Sequence, residues 1–497
     1  MEKAKKGGAK VYVNPIPKKE RMQIPRRDEP KRPAGERAAD MDEIYIYFTE
    51  EEIIEQARRC IECKVPKCMI EGCPLHNRIP EWMNAVAAGD IREAARISNT
   101  TSNLPEICGR VCPQHKLCEG HCTLSKKAGA VSIGRIERFI NDWTREHGGL
   151  EIPEIPAATG FKVACIGSGP ASIAVADELR KKGHDVTVFE KNKVASGLLH
   201  YGIPPFKLNK EVVGARIERL EKMGVEFVLN TEVGKDLTLA DLKEKQGFDA
   251  VFIGIGAPLC KSARCDGEDL GRVFSADEFL MRNNVAVDDR PDDMKENIPV
   301  GISVIVFGGG NTAMDCVRTG IRAGYEKVYC FYRRSQLEMP AGEKERVNAE
   351  EEGVEFQYLV APSRFLANGG NVVAEAECFR MELGEPDDSG RRRPIKLEDS
   401  EFTVDIDTVV LAIGYDNDPS FSDDVEGLDT DKWGCVIVDN YNGQSSLEWV
   451  FSGGDAVHGA DLVVTAVAAG RRAAAGMDAF LKGEPMPKKP EEKSEEK

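Results

Sequence analysis

Eight of the fifteen cysteines in this 497-residue chain fall within one short stretch, between Cys60 and Cys122. They form two runs, Cys60-x2-Cys63-x4-Cys68-x4-Cys73-Pro74 and Cys108-x3-Cys112-Pro113-x5-Cys118-x3-Cys122. In an exported chain such crowding would read as disulfides. Here the N-terminus has no apolar segment of a secretory signal, so the reading is metal or cluster ligation. The C-x2-C spacing and the Cys-Pro ends suit [4Fe–4S] cubanes, in which the last cysteine of a run often serves the other cluster. The rival reading is two structural zinc sites of four cysteines each. The seven remaining cysteines are scattered singly and read as core or surface thiols.

A second chemistry lies in the glycines. Gly167-x-Gly169-x-x-Ser172 follows the β-branched run Lys162–Ile166 and opens a helix at Pro170. Glycines there let the backbone approach a pyrophosphate held on the helix N-terminus. Ser172 stands where Gly or Ala is usual. Glu190 follows the strand Asp185–Phe189, with Lys191 after it, and an acid at that place accepts hydrogen bonds from ribose hydroxyls. The pattern repeats at Gly308-x-Gly310-x-x-Ala313, after Ser303–Phe307, with Asn311 and Thr312 opening the helix. Its second strand, Lys327–Tyr332, runs into Arg333-Arg334 instead of an acid. Guanidinium groups bind a 2′-phosphate that a carboxylate would repel, so the second site is expected to take NADP rather than NAD. Each block closes on an apolar strand ending in glycine, at Gly256 and at Gly414. A third turn, Gly453-Gly454-Asp455, leads to Leu462 and Thr465 at the start of a small-residue helix, and is expected to bind flavin. No Ser/His/Asp triad, His pair or paired carboxylates stand out, so no catalytic acid or base is assigned. Hydride transfer between stacked rings needs none, and the seven histidines read as structural or exposed.

These residues need rigid supports. Thr49 with Glu52 is a capping-box signal, and Ile53, Ile54 and Ala57 give a helical stripe leading into Cys60. Ile91–Ile97 and Ile133–Ile140 read as further amphipathic helices. Residues 148–160 are a Gly/Pro-rich linker. The two strand–turn–helix blocks beyond it predict two dinucleotide-binding domains. The first forty residues hold twelve Lys/Arg against six Asp/Glu and are read as an extended, solvated basic arm; the sharper reading is an arm that docks on an acidic partner. The net charge of −17 argues against nucleic acid as a partner. No apolar run reaches membrane-spanning length, and a cytoplasmic location is the expectation.

Several further stretches carry a resemblance. They include Asn103-Leu-Pro-Glu-Ile-Cys-Gly-Arg-Val-Cys-Pro113, Leu117-Cys-Glu-Gly-His-Cys122, Gly129-Ala-Val-Ser-Ile-Gly-Arg-Ile-Glu137, Tyr201-Gly-Ile-Pro204, Gly310-Asn-Thr-Ala-Met-Asp-Cys316, Gly384-Glu-Pro-Asp387 and Asp461-Leu-Val-Val-Thr465. With the cysteine runs, these resemble the small (β) subunit of NADPH-dependent glutamate synthase and its relatives, from about residue 20 to residue 482. The resemblance implies an α/β chain: a helical domain with two [4Fe–4S] clusters, then two Rossmann-like domains, the FAD domain interrupted by the NADPH domain. The expected boundaries are an arm at 1–40, an iron–sulfur domain at 41–150, FAD-binding parts at 160–298 and 414–484, an NADPH-binding domain at 299–413 and a charged tail at 485–497. It implies that Cys60, Cys63, Cys68 and Cys122 hold one cluster. Cys73, Cys112, Cys118 and the carboxylate of Glu137 would hold the other, leaving Cys108 spare, whereas spacing alone favours Cys108. Gly197 and Leu198 match a flavin loop in which Ser196 replaces a glycine. The implied function is transfer of electrons from NADPH through FAD and the clusters to a glutamate synthase large subunit or another redox partner. A second reading is the large subunit of an NADH-dependent ferredoxin:NADP oxidoreductase. A third is a zinc-stabilised adaptor with inactive nucleotide folds.

Overall fold

The computed structural model of the chain describes residues 3–4, 10–388, 390–423 and 425–489; the end of the expected charged tail lies outside them. The N-terminal domain is helical. Its first long helix, Glu50–Arg58, opens on the expected capping box: the Thr49 hydroxyl accepts the Glu52 N–H at 3.3 Å, and the Glu52 carboxylate accepts the Thr49 N–H at 3.0 Å. The helices Ile79–Ala87, Ile91–Ser98 and Ile133–Glu146 pack with it around Ile53, Trp82, Met83, Val86, Ala94, Ile136 and Ile140. Apolar residues at helical spacing give each helix one face to bury, and their mutual burial holds the domain.

Beyond the linker stand two five-stranded sheets, every strand pair parallel. The first has the order Val450–Ser452, Ala250–Ile253, Lys162–Ile166, Asp185–Phe189, Glu226–Val228. The second has the order Glu355–Tyr358, Lys327–Tyr332, Ser303–Phe307, Thr408–Leu411, Val273–Ser275. Parallel neighbours need crossover connections, and strand order reverses beside Lys162–Ile166 in one sheet and beside Ser303–Phe307 in the other. At such a reversal a crevice opens at the carboxyl ends of the strands. Both glycine turns sit at that point.

The structure moves one expected boundary. Val273–Ser275 pairs with Thr408–Leu411, and Phe274, Phe279 and Leu280 fill the core of the second sheet. The segment up to 298 therefore does not all belong with the first sheet. The chain crosses between the domains at two short antiparallel pieces, Leu259–Cys260 outward and Tyr415–Asp416 on return. An antiparallel meander, Val360–Ala367 with Val373–Pro386, Arg392–Lys396 and Phe402–Asp405, is inserted before the return.

Among its described residues, the later part of the basic arm is not a solvated tail. Arg21 and Arg37 are buried. Arg21 donates to the Cys60 carbonyl at 2.8 Å, and Arg37 reaches into the domain of the second sheet, pairing with Glu352 at 3.0 Å and Glu351 at 2.6 Å. Glu352 also takes Arg318 and Arg322 at 2.9 and 2.7 Å. A planar guanidinium with five donors survives burial when carboxylates saturate it. The carboxylates that Arg21 and Arg37 meet belong to their own chain. Among the described residues no helix is long and apolar enough to cross a membrane.

Candidate functional site

The first cradle is shaped by steric necessity. Gly167 has φ +82°, and a Cβ there would lie 2.7 Å from the Gly254 carbonyl oxygen. Gly169 is the N-cap of the helix Pro170–Arg180, and nothing lies within 4 Å of where its side chain would start. A gap of this kind at a helix N-terminus can take a pyrophosphate. Gly197, at φ +55°, folds over it, its Cβ position 3.3 Å from the Gly169 Cα, with Leu198 exposed beside it. Ser172 Oγ is buried without a partner and sits 2.1 Å from a Cβ at Gly254, so the serine fills the place that close helix–strand packing leaves to a small residue. Glu190 is buried. One carboxylate oxygen takes the Ser168 N–H at 3.0 Å and hydroxyl at 2.6 Å, and the other takes the Asn192 N–H at 2.9 Å. Its first task is therefore to hold the turn.

The turn at Gly454 joins this cradle from the other end of the sequence. At φ +72° it admits only glycine comfortably, and its Cβ position lies 3.1 Å from Ala171 Cβ and 3.3 Å from Ala466 Cβ. Gly470, on the helix Val463–Lys482, lies against Ala171, a Cβ there being 2.3 Å from the Ala171 oxygen. Small residues thus bring two helices to backbone contact. The Thr465 hydroxyl closes the helix start, accepting the Leu462 N–H at 3.1 Å and donating to its carbonyl at 2.7 Å. Burial pushes the Asp455 carboxyl up to about 6, with the nearby Asp461 charge adding to it against an opposing backbone hydrogen bond. Ser196 Oγ is buried and unpartnered at the same cradle.

The second cradle repeats the first. Gly308, at φ +151°, would place a Cβ 2.2 Å from the Ala412 oxygen, and Gly309 one 2.5 Å from the Tyr332 ring. Gly310, N-cap of the helix Asn311–Ala323, again faces open space, with Asn311 and Thr312 as the first helical residues. The arginine pair separates. Arg333 is exposed and makes no ion pair among the described residues. Arg334 is buried, pairs with Asp387 at 2.8 Å and donates to the Arg392 carbonyl at 2.8 Å. Of the two, Arg333 is the one without an ion pair among the described residues, while Arg334 ties the strand end to the meander. Gly256 (φ +75°) and Gly414 (φ +114°) stand two residues after Gly254 and Ala412, whose carbonyls face the Gly167 and Gly308 turns, and lead into the crossover segments.

The cysteines gather into two cavities. Cys60, Cys63, Cys68 and Cys122 line one, with Ile61, Pro66 and Thr123. Cys73, Cys108, Cys112, Cys118 and Glu137 line the other, and Val464, next to Thr465, reaches its wall. Burial pushes the Cys60 thiol up to about 11 and those of Cys68 and Cys73 up to about 12. A hydrogen bond with Cys108, then burial, raises Cys112; burial raises Cys118. Bound iron would supply the positive charge that makes such thiols thiolates. Burial likewise raises the Glu137 carboxyl to about 8. Its oxygen accepts Asn77 Nδ2 at 2.7 Å and Ser98 Oγ at 3.3 Å. Sequence reasoning did not find Asn77 or Ser98, which aim this carboxylate, because neither lies in a motif.

The helical domain is bolted to the first sheet beside the second cavity. Arg216 forks onto Glu106 at 2.6 and 2.7 Å, and Arg471 bridges Asn103 at 2.9 Å and Glu178 at 2.6 Å. The cavity of Cys73 therefore stands beside the first cradle, and the cavity of Cys60 lies farther along the helical domain.

Comparison with known proteins agrees with this layout. Residues 37–149 match the family described as dihydropyrimidine dehydrogenase domain II, 4Fe–4S cluster, which decides between iron–sulfur and zinc. Residues 161–470 match the pyridine nucleotide-disulphide oxidoreductase family. The chain is 43% identical over 466 residues to the small chain of glutamate synthase [NADPH] from Escherichia coli K12, covering 93% of this chain and 98% of that one. It is 42% identical to the counterpart from Azospirillum brasilense, covering 91% and 94%. Among solved structures, FprA of Mycobacterium tuberculosis in complex with NADPH shares the fold, with a TM-score of 0.55 and 18% identity over 65% of this chain and 85% of that one.

Proposed function

This chain belongs to the family of the glutamate synthase [NADPH] small chains, FAD- and [4Fe–4S]-bearing, NADPH-dependent oxidoreductases, and from that premise we propose that it supplies electrons to a separate large subunit that makes glutamate from glutamine and 2-oxoglutarate. When bound, FAD and the two clusters would supply hydride acceptance from NADPH and the conversion of a two-electron donor into a source of single electrons. The residues divide the labour. Gly167, Gly169, Pro170 and the Gly454–Asp455 turn hold the flavin nucleotide; Lys191, Gly197, Leu198, Leu462 and Thr465 border it. Gly308, Gly310, Asn311 and Thr312 hold the NADPH pyrophosphate, and Arg333 takes the 2′-phosphate. Cys60, Cys63, Cys68 and Cys122 hold one cluster, and Cys73, Cys112, Cys118 and Glu137 the other.

The observation that carries this reading is the serial placement of the sites. Val464 forms part of the wall of the second cysteine cavity, and on the same helix Ala466 packs on the Gly454 turn of the flavin cradle. The side chains here bind, aim and exclude water; none is needed as an acid or base. The test is co-expression with a glutamate synthase large subunit, followed by an assay of NADPH oxidation. Oxidation that requires both glutamine and 2-oxoglutarate supports the proposal. Oxidation indifferent to both, with no complex on gel filtration, removes the large subunit from it.

A further inference from the structure

Around the first cysteine cavity the surface reverses the sign of the whole molecule. Three segments meet there. Cys63 Sγ and Thr123 Oγ1 stand 3.3 Å apart, which brings the 60–68 loop to the turn after Cys122. Lys18 Nζ donates to the Glu62 carbonyl at 3.0 Å, joining the arm. Together they present Lys18, Lys19, Lys64, Lys67, Lys126 and Lys127, all exposed. Of the acids among them, Glu20 is exposed and two are engaged. Glu62 faces Arg21 at 3.5 Å, and Glu71 pairs with Lys67 at 3.1 Å. Lys19, Lys64, Lys126 and Lys127 make no ion pair among the described residues. Inside this collar stand Val65, 59% exposed, and Ile70, 45% exposed. A chain of net charge −17 has thus gathered unpaired lysines around an apolar centre, over the cysteine cavity farther from the flavin cradle.

We propose that this collar is the electron exit, a docking face for a protein acceptor whose own redox centre is ringed by Asp and Glu. The inference rests on the proposed role of Cys60, Cys63, Cys68 and Cys122 as cluster ligands. Electron transfer between proteins requires close approach of the two centres, and the half-exposed Cys60, Cys63, Cys68 and Cys122 bring the first cavity near this face. Opposite charges around an apolar contact steer encounter and fix orientation while letting the complex part again. The net charge of −17 repels such a partner over the molecule as a whole, which favours the collar as its landing place.

The test uses the holoenzyme, with an acidic plant-type ferredoxin as acceptor and basic cytochrome c as its opposite. Lys19, Lys64, Lys126 and Lys127 are changed together to Glu, and in a second variant to Gln. Stopped-flow mixing of the NADPH-reduced enzyme with each acceptor is read across ionic strength, and ferredoxin binding is measured by calorimetry. The expected result is a wild-type rate to ferredoxin that falls steeply with salt. The Glu variant should be slower by about tenfold or more at low salt and nearly salt-independent, with the Gln variant between them and its ferredoxin binding weakened. NADPH bleaching and reduction of a neutral quinone should stay unchanged in both variants. Equal ferredoxin rates and affinities in all three proteins, or a wild type that prefers cytochrome c, would overturn the proposal. A wild type that NADPH cannot bleach would instead strike the reading beneath it, and the ferredoxin affinities would still judge the surface. Should the Glu variant not fold, the Gln variant and the wild-type salt dependence decide.

Discussion

Arg333 and Arg334 are adjacent, yet the structure gives them different work, and separating them by substitution is a sharp check on the NADPH site. Arg333 is exposed and without an ion pair among the described residues, at the end of the strand Lys327–Tyr332. A hydrogen bond to a charged group contributes about 1.5–3 kcal/mol. Removing it by Arg333→Ala should therefore raise the KM for NADPH by roughly 10- to 150-fold while leaving that for NADH nearly unchanged. Its urea unfolding should match the wild type, since surface changes away from special features stay within about 0.5 kcal/mol. Arg334→Ala removes a buried pair with Asp387 and a bond to the Arg392 carbonyl. It should cost about 3 kcal/mol of stability and weaken both nucleotides together, because it loosens the support rather than the phosphate contact. Steady-state kinetics with both nucleotides, run beside urea melts, measure this. An Arg333→Ala enzyme that loses NADH and NADPH equally, or an Arg334→Ala enzyme that alone loses NADPH preference, would refute the assignment.

The other predictions concern cofactor-free protein and cluster content. Glu352→Gln breaks the carboxylate shared by Arg37, Arg318 and Arg322 and should cost about 3–5 kcal/mol, with residues 30–45 becoming open to proteases; an arm that stays resistant would contradict the docked arm. Burial opposes the charge of Glu352, but the arginines outweigh it and hold its carboxyl down at about 2 from an ordinary 4.5. Its stabilisation should be complete above about pH 4.5 and lost as pH falls toward 2, so the acid slope of the urea midpoint should be shallower in Glu352→Gln. Ser196 holds φ +105° where glycine is at ease, so Ser196→Gly should stabilise the flavin-free protein by about 1 kcal/mol; a lower urea midpoint would show the strain is not there. Glu137→Ser should lower iron per flavin and alter one cluster's electron paramagnetic resonance signal, whereas Cys108→Ser should leave both. The opposite pattern would return Cys108 to the ligand set.

Both glycine turns were legible in the sequence because backbone sterics leave no substitute. A Cβ at Gly167 or Gly308 collides with a carbonyl oxygen 2.7 or 2.2 Å away, and so the glycines stand in the chain as a pattern. The cysteine runs were legible because ligands cluster locally. What the sequence concealed depends on distant partners. Arg37 meets Glu351 and Glu352 from the opposite part of the chain, and nothing in a Lys/Arg-rich segment distinguishes an arginine that will be buried from one that stays wet. The crossover pieces Leu259–Cys260 and Tyr415–Asp416 are too short to show as strands. Val273–Ser275 is nearly as short, so its transfer to the second sheet left no periodicity. Arg334 next to Arg333 carries the same charge in sequence, and only its bond to the meander tells its role.

If this chain carries electrons from NADPH past the flavin and into iron–sulfur centres held by the two cysteine cavities, all three stations must respond to one reductant. An anaerobic titration of the purified protein with NADPH, followed by visible absorbance and low-temperature electron paramagnetic resonance, reads them together. The expected outcome is bleaching of the flavin bands together with the appearance of a reduced-cluster signal, both abolished when Gly310 is replaced by a bulky residue that fills the open turn of the second cradle. Flavin bleaching with every cluster still oxidised, even under excess NADPH, would break the relay at its middle step.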